Sequence, residues 1–162
     1  MRIAICSDIH DNIWALEKAL PLMNEANVLI FCGDFCAPFT LTQLARGFEG
    51  PIHAVLGNND GDQRLLLQMA EQAGNTELHG QLAELEIGGL KIGVNHYPEI
   101  ARGLAQSGRY DVVCYGHDHI AHKERLGETL LLNPGEIMGR FGQRTYMMLD
   151  TNSREVSIHH VE

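Results

Sequence analysis

The segment IAICSDIH, residues 3–10, joins an apolar run directly to polar side chains. Ile3–Cys6 is short, apolar and rich in isoleucine, which predicts a buried β-strand. Asp8 and His10 follow within four residues, and both carry atoms that bind metal ions. Alternate residues of an extended chain point the same way, so the two side chains can aim at one centre if the chain is still extended there. A buried strand followed at once by metal-competent side chains therefore forms one recognisable unit of this sequence.

The same unit recurs at four later places in the chain. The strands and the turns that follow them are Val28–Cys32 with Gly33-Asp34, Ile52–Leu56 with Gly57-Asn58-Asn59-Asp60, Lys91–Val94 with Asn95-His96, and Val112–Tyr115 with Gly116-His117-Asp118-His119. Ligand sites in α/β sheets lie outside the carboxyl ends of the strands. If the five strands are neighbours, we expect their turns to converge on one edge, where the glycines let the backbone turn sharply.

Helical periodicity lies between the early strands. The apolar face of the first helix consists of Ile13, Leu16, Leu20 and Met23. Pro21 is expected to kink or divide this helix. Further helices are predicted from about residue 62 to residue 73 and from Pro98 to about residue 108, where Gly108 ends the pattern.

Strand pairs dominate the second half of the chain. Gly88-Gly89 predicts a two-residue turn between Leu85–Ile87 and Leu90–Val94, Thr129–Leu132 predicts another strand, and residues 150–153 join the last two strands. Strand–helix alternation followed by strand pairs predicts an α/β fold with two packed sheets flanked by helices. Because the chain shows no linker or internal repeat, residues 1–162 are expected to form a single domain.

Composition excludes several classes of protein. Of 162 residues, 44% are hydrophobic and 20% are charged, so neither a disordered chain nor a membrane protein is expected. The apolar run at the N-terminus is too short for a signal peptide. With 12 basic against 21 acidic residues the net charge is -9, which argues against binding to nucleic-acid duplexes or anionic membranes.

The four cysteines indicate a reducing environment. Cys32 and Cys36 are separated by three residues but lack a second pair, so a zinc knuckle is not expected. Cysteines within apolar runs behave as small hydrophobic residues. Reduced thiols in a cytoplasmic protein are therefore predicted.

Seven polar residues at the strand ends form a candidate metal site. They are Asp8, His10, Asp34, Asn58, His96, His117 and His119. Seven nitrogen and oxygen ligands exceed the needs of one ion and suit two borderline divalent ions, with manganese preferred and iron, nickel or zinc as alternatives. Calcium is disfavoured because it prefers more carboxylates. The positive charge of two such ions exceeds the negative charge of two aspartates and one hydroxide. The centre would therefore attract an anionic substrate.

Each of these motifs alone has an ordinary structural explanation, as a helix cap or a turn. Their common position at strand ends favours metal binding over coincidence. The remaining histidines show no such placement and are expected to be structural or solvated. They are His53, His79, His122, His159 and His160.

The order of these motifs resembles that of the calcineurin-like metallophosphoesterase superfamily, namely Asp-x-His, Gly-Asp, Gly-Asn-(His/Cys), a later His and Gly-His-x-His. The resemblance runs from Asp8 to about Gly135, and Asn133-Pro134-Gly135 with the short chain resembles the compact prokaryotic phosphodiesterase-like branch. It implies a four-layer α/β/β/α sandwich of two mixed sheets flanked by helices.

The resemblance also implies a ligand set and a reaction. One metal would be held by Asp8, His10, Asp34 and His119, and the other by Asp34 as bridge, Asn58, His96 and His117. Asn58, Asp34 and His96 are the predicted catalytic residues. A metal-bridging hydroxide would attack phosphorus in a small-molecule phosphate ester. A diester is favoured, with nucleotides and other phosphorylated small molecules left open, as is a homo-oligomer.

Three residues depart from the superfamily pattern. Asn59 stands where many members have the histidine that protonates the leaving group. Tyr97 follows His96 where relatives often have glycine, and is expected to crowd the pocket or form an aromatic wall. Glu136 replaces a common serine and is expected to add negative charge near the mouth of the site.

The alternative function is a non-catalytic protein-interaction scaffold, for which the retromer subunit with this fold is the precedent. In that subunit the metal site is degenerate. Here every ligand position holds a competent residue, which favours an enzyme.

Overall fold

Eleven strands and four helices build the chain, and the computed structural model describes residues 1–162. The strands are β1 (Arg2–Cys6), β2 (Val28–Phe31), β3 (Ile52–Ala54), β4 (Thr76–Leu78), β5 (Leu82–Ile87), β6 (Leu90–Asn95), β7 (Val112–Cys114), β8 (Ala121–Leu126), β9 (Thr129–Pro134), β10 (Thr145–Asp150) and β11 (Val156–His160). The helices are α1 (Ile13–Met23), α2 (Pro38–Gly47), α3 (Gln63–Ala73) and α4 (Pro98–Gln106).

Both sheets are mixed. The first has the strand order β11-β10-β1-β2-β3-β4, in which β1 to β4 run parallel and β10 is antiparallel to β1. The second has the order β5-β6-β7-β9-β8, with β6, β7 and β9 parallel and the outer strands antiparallel to them. Each sheet therefore has a parallel centre whose strand ends lie along one edge.

The two sheets pack against each other and carry helices on their outer faces. In β1, Ile3 and Ile5 join the core between the sheets, whereas Ala4 and Cys6 join the core under the first three helices. Alternate residues of a strand face opposite sides, so an apolar run without alternation must be covered on both faces. A third core lies between α4 and the second sheet. The α/β/β/α prediction is confirmed.

Local predictions and structure differ at four elements. Helix α1 is continuous through Pro21, because this proline lies in the last turn and its missing N–H removes only one hydrogen bond. Helix α2 was not predicted, although Pro38 occupies its first turn as is common. Strand β4, which is short and half-exposed, was not predicted either. Strand β8, which has no fully buried residue, was also not predicted. No helix is both long and apolar enough to cross a membrane.

Candidate metal centre

The structure brings all seven predicted ligand residues into one continuous cluster. Strands β1, β2 and β3 are adjacent in the first sheet, and β6 and β7 are adjacent in the second. The five turns that follow them meet where the two sheets end on the same side. We call these seven residues the ligand cluster.

One half of the ligand cluster centres on Asp8. Its Oδ1 lies 3.4 Å from Nε2 of His10 and 3.3 Å from Nε2 of His119. Asp8 is fully buried, and its Oδ2 accepts a hydrogen bond from the backbone N–H of His117. This bond ties the Asp8 turn of the first sheet to the His117 turn of the second.

The other half centres on His96, which is fully buried. Its Nδ1 donates to the carbonyl oxygen of Cys32 at 2.8 Å, so Nε2 carries the lone pair. That nitrogen lies 3.3 Å from Oδ2 of Asp34 and 3.1 Å from Oδ1 of Asn58. Asn58 Oδ1 also lies 2.8 Å from Nδ1 of His117.

Asp34 joins the two halves. Its Oδ2 lies 3.3 Å from the imidazole of His96 and 3.5 Å from Nε2 of His10. Asp34 is the only carboxylate of the ligand cluster that lies within 4 Å of imidazole nitrogens of both halves. This is the position that a ligand shared between two ions would occupy.

Some atoms of the ligand cluster that can donate an electron pair to a metal ion lack a hydrogen-bond partner. Asp8 Oδ1 and His10 Nε2 are buried and have no hydrogen-bond partner. Burying such atoms unsatisfied costs about 1–3 kcal/mol each. A divalent cation between them would satisfy both, so the donor set fits metal ions.

The carboxylates and imidazoles also perturb one another's proton affinity. Burial raises the pKa of Asp34, but hydrogen bonds with His96 and Asn59 outweigh it and lower the pKa to about 2. Burial lowers the pKa of His10 and His96, but the nearby aspartates outweigh it and raise both. Protons and metal ions therefore compete for the same nitrogens, and metal affinity should fall as the pH falls.

The backbone of these turns is strained. Eight non-glycine residues have a positive φ, and seven of them lie in the turns of the site. They are Asp8, His10, Asp11, Asp34, Cys36, His117 and His119. Each such conformation costs about 1–3 kcal/mol and persists only where the surroundings enforce it. Strain clustered in this way is typical of functional sites.

Two glycines are required by close approach. A Cβ on Gly57 would lie 2.1 Å from Oδ1 of Asp34, and one on Gly116 would lie 2.6 Å from Oδ2 of Asp8. Any side chain at either position would displace an aspartate of the ligand cluster.

Two residues of the Gly57–Asp60 turn hold Asp34 in place, and their roles were missed from the sequence. The Asp60 carboxylate accepts backbone N–H bonds from Asp34, Cys36 and Gly57, at 3.1, 2.9 and 2.7 Å. Asn59 donates to both oxygens of Asp34, with its backbone N–H and its side-chain amide, each at 2.8 Å. The only signal in the sequence was the polar turn itself.

The predicted position of Glu136 at the mouth of the site is wrong. Glu136 is fully buried, and its Oε2 lies 2.8 Å from Nδ1 of His119. Its Oε1 accepts the backbone N–H groups of Phe141 and Gly142. Burial raises the pKa of Glu136, but these bonds outweigh it and lower the pKa, so the side chain stays ionised. It therefore holds the proton of His119 on Nδ1 and leaves Nε2 free towards Asp8.

We expect Glu136→Gln to lower metal affinity and turnover by about 10- to 100-fold. If the amide oxygen keeps the two backbone donors, its NH₂ faces His119 and favours the tautomer with the proton on Nε2. That nitrogen could then no longer bind a metal ion. Glu124→Gln is the matched control, because Glu124 contacts only His122 and Arg102. Equal metal titrations for both variants would contradict this role for Glu136.

Tyr97 and a cavity give the ligand cluster apolar surface on two sides. The ring centroid of Tyr97 lies 5.3 Å from those of His96 and His117, so Tyr97 forms the expected aromatic wall. On the other side, a cavity of about 660 Å³ begins at His119. Its apolar lining includes the exposed side chains Ile120 and Phe141.

The other five histidines lie outside the ligand cluster. His122 contacts Glu124, and His159 stacks on Tyr146. His53 and His79, far apart in sequence, lie against each other.

Comparisons with known proteins show the family and the fold of this chain. The calcineurin-like phosphoesterase superfamily domain matches residues 1–154. Phosphodiesterase MJ0936 of Methanocaldococcus jannaschii is 34% identical over 160 residues, covering 96% of each chain. A solved structure described as a novel archaeal phosphodiesterase has a TM-score of 0.92 at 31% identity, covering 99% of this chain and 100% of that one. Vps29 from Entamoeba histolytica complexed with Zn²⁺ shares the fold, with a TM-score of 0.71 at 21% identity over 98% of this chain and 90% of that one.

Proposed function

This chain belongs to the calcineurin-like phosphoesterase superfamily and is a metal-dependent phosphoesterase, and we propose that it hydrolyses a phosphodiester at a dinuclear metal centre. The observation that carries the proposal is the position of Asp34, whose carboxylate contacts imidazoles of both halves of the ligand cluster. The proposal treats residues 1–162 as one catalytic domain.

The residues fall into two ligand groups that share Asp34. Asp8, His10 and His119 would complete one group, and Asn58, His96 and His117 the other. Ions bound there supply two things, a water acidified at neutral pH and positive charge against the phosphate oxygens. Manganese is the proposed metal, with iron, nickel and zinc as alternatives, because imidazole, amide and carboxylate donors suit them all.

Neighbouring residues orient the ligands of this centre and fix the tautomers of two of its histidines. Glu136 and the Cys32 carbonyl hold the protons of His119 and His96 on Nδ1, so that each Nε2 points at a carboxylate. Asn59 and Asp60 hold Asp34 and its turn. Preorganised ligands of this kind do not have to be reoriented when substrate binds.

Two observations support a diester with an apolar or aryl substituent as the substrate. The cavity beside His119 offers apolar surface next to the ligand cluster. The side-chain amide of Asn59 donates a hydrogen bond to Asp34. An amide has no titratable proton with which to protonate a departing alkoxide. A substrate whose leaving group is stable as an anion needs no such acid. The net charge of -9 continues to argue against nucleic-acid duplexes.

Hydrolysis of bis-(p-nitrophenyl) phosphate tests the enzyme against the scaffold. We expect Mn²⁺ to stimulate hydrolysis and a chelator to abolish it, with two ions bound per chain in the active protein. Metal binding alone does not separate the two functions, since a zinc complex of Vps29 shares this fold. Less than one ion per chain together with no metal-stimulated hydrolysis would favour the scaffold.

A series of substituted phenyl phosphodiesters tests the missing acid. General-acid catalysis is worth about 10²–10⁴-fold, so without it log kcat/KM should fall steeply as the leaving-group pKa rises. Asn59→His is expected to restore little, because the new imidazole loses the amide bond to Asp34. A flat series, with chemistry shown to be rate-limiting, would mean that another residue acts as the acid.

The cysteines support a cytoplasmic location as part of the proposal. Cys6, Cys32 and Cys114 are buried free thiols at the ends of β1, β2 and β7. Burial raises the pKa of Cys6 strongly, which keeps that thiol protonated and unreactive. Unpaired thiols are typical of proteins from reducing compartments.

A further inference from the structure

Three metal-competent side chains meet outside the ligand cluster, at the edge of the first sheet. They are His53 on β3, Glu77 on β4 and His79 just after β4. Strands β3 and β4 are parallel, and their register places Glu77 directly beside His53. Residues two apart in a strand share a face, so His79 comes to the same side as Glu77.

The sheet also explains why this site is open to solvent. Ile52 and Ala54 face the helices, so His53 points to the side of the second sheet, together with its register partner Ile30. Because β4 is the edge strand, the second sheet does not fully cover this end. The side chains of His53 and His79 are 22% and 17% exposed, and that of Glu77 is 67% exposed. An ion can therefore reach all three from solvent.

The distances fit one small ion. Nδ1 of His53 lies 3.1 Å from Nε2 of His79 and 3.5 Å from Oε2 of Glu77. One donor atom from each residue lies within 4.8 Å of the others. Ligands of tetrahedral zinc, with bonds of about 2.0–2.1 Å, are about 3.3 Å apart. The two spacings from Nδ1 of His53 bracket that value. Glu77 also approaches His79, with its Oε1 3.7 Å from Nδ1 of that histidine, so a small rotation of the His79 side chain would complete the site.

We propose that His53, Glu77 and His79 form a second, mononuclear site for a borderline divalent ion, Zn²⁺ in particular. Two imidazoles and one carboxylate are a common zinc ligand set, with solvent in the fourth position. The ion would link β3 to the edge strand β4, and its role is to stabilise this edge of the sheet. It adds a metal site beyond the seven-residue ligand cluster.

Zinc counting on protein without a histidine tag tests the site. Wild type, His53→Ala and Glu77→Gln are equilibrated with Zn²⁺, freed of excess metal and measured by mass spectrometry of the bound metal. Each variant is expected to hold one ion fewer per chain than wild type, with the hydrolysis of bis-(p-nitrophenyl) phosphate unchanged. Zn²⁺ should also raise the Tm of wild type more than that of either variant, since an ion that binds only the folded state stabilises it.

His122→Ala is the matched control, because His122 also contacts a glutamate but has no second imidazole beside it. It should keep the wild-type zinc count. Glu77 is exposed, so Glu77→Gln remains a valid test if His53→Ala folds poorly. Equal zinc counts in wild type and Glu77→Gln, or an equal loss in His122→Ala, would overturn the proposal. The readout is a difference between variants, so it is independent of whether the ligand cluster proves dinuclear or catalytic.

Discussion

Asp34→Asn is expected to remove at least about 99% of phosphodiesterase turnover and to weaken metal binding by both halves of the ligand cluster. The expected loss is at least as large as the upper end of the 10- to 100-fold range that is typical of residues that only orient a ligand. Asp34 Oδ2 is the atom that lies near the imidazoles of both His10 and His96. The substitution therefore removes negative charge from two ion positions at once.

Hydrogen bonding adds to this loss. Both oxygens of Asp34 accept from Asn59, one from its backbone N–H and the other from its amide. An asparagine at position 34 has only one oxygen, so one donor of Asn59 must face the new NH₂ group. Leaving a donor unsatisfied costs about 1–3 kcal/mol, and the turn should loosen.

The measurement is bound metal per chain together with kcat/KM for bis-(p-nitrophenyl) phosphate across a Mn²⁺ titration. Asp62→Asn is a suitable control, because Asp62 caps α3 and asparagine caps a helix equally well. It should leave metal content and rate unchanged. If Asp34→Asn retains two ions and a near-normal kcat, Asp34 is not the shared ligand.

His96→Ala and His117→Ala should each lower activity at least tenfold through loss of metal. His96 is buried and bonded to the Cys32 carbonyl, so its removal should also lower the free energy of unfolding. His117 is exposed, so His117→Ala tests metal binding with little effect on the fold. Metal titration and thermal unfolding of both variants separate the two effects.

The comparison set for these variants is His122→Ala, His159→Ala and His160→Ala. These histidines lie outside the ligand cluster, and their variants should keep full metal content and rate. His53 and His79 are excluded from this set because they form the proposed zinc site. If one of the three control variants loses the catalytic metals while His117→Ala retains them, the assignment of the ligand cluster is wrong.

The fold class and the position of the site followed from local pattern. A strand such as Ile3–Cys6 is apolar at every position because both its faces are covered, and that property is visible without any partner. Its polar residues follow at once in sequence, so Asp8 and His10 had to lie at the strand end. The structure brings together all seven residues predicted in this way, and their ligand roles stay predictions until metal binding is measured.

Local pattern failed where an element lacked a clear period or a strong signal. Helix α2 has four buried residues among ten and begins with only a proline to mark it. Strand β4 has three residues and no buried side chain. Pro21 is a helix breaker in general, but at the end of α1 it is tolerated because few hydrogen bonds remain to be lost.

The sequence by itself determined which residues follow the strands, because a strand and its turn are contiguous in the chain. Only the tertiary structure decided which side chains meet across elements. The bond from Glu136 to His119, the hold of Asn59 on Asp34 and the approach of His53 to His79 all join different strands or turns. These contacts depend on strand order and register, which are set by the packing of the whole core. In β3, for example, a shift of one residue would send His53 to the opposite face of the sheet.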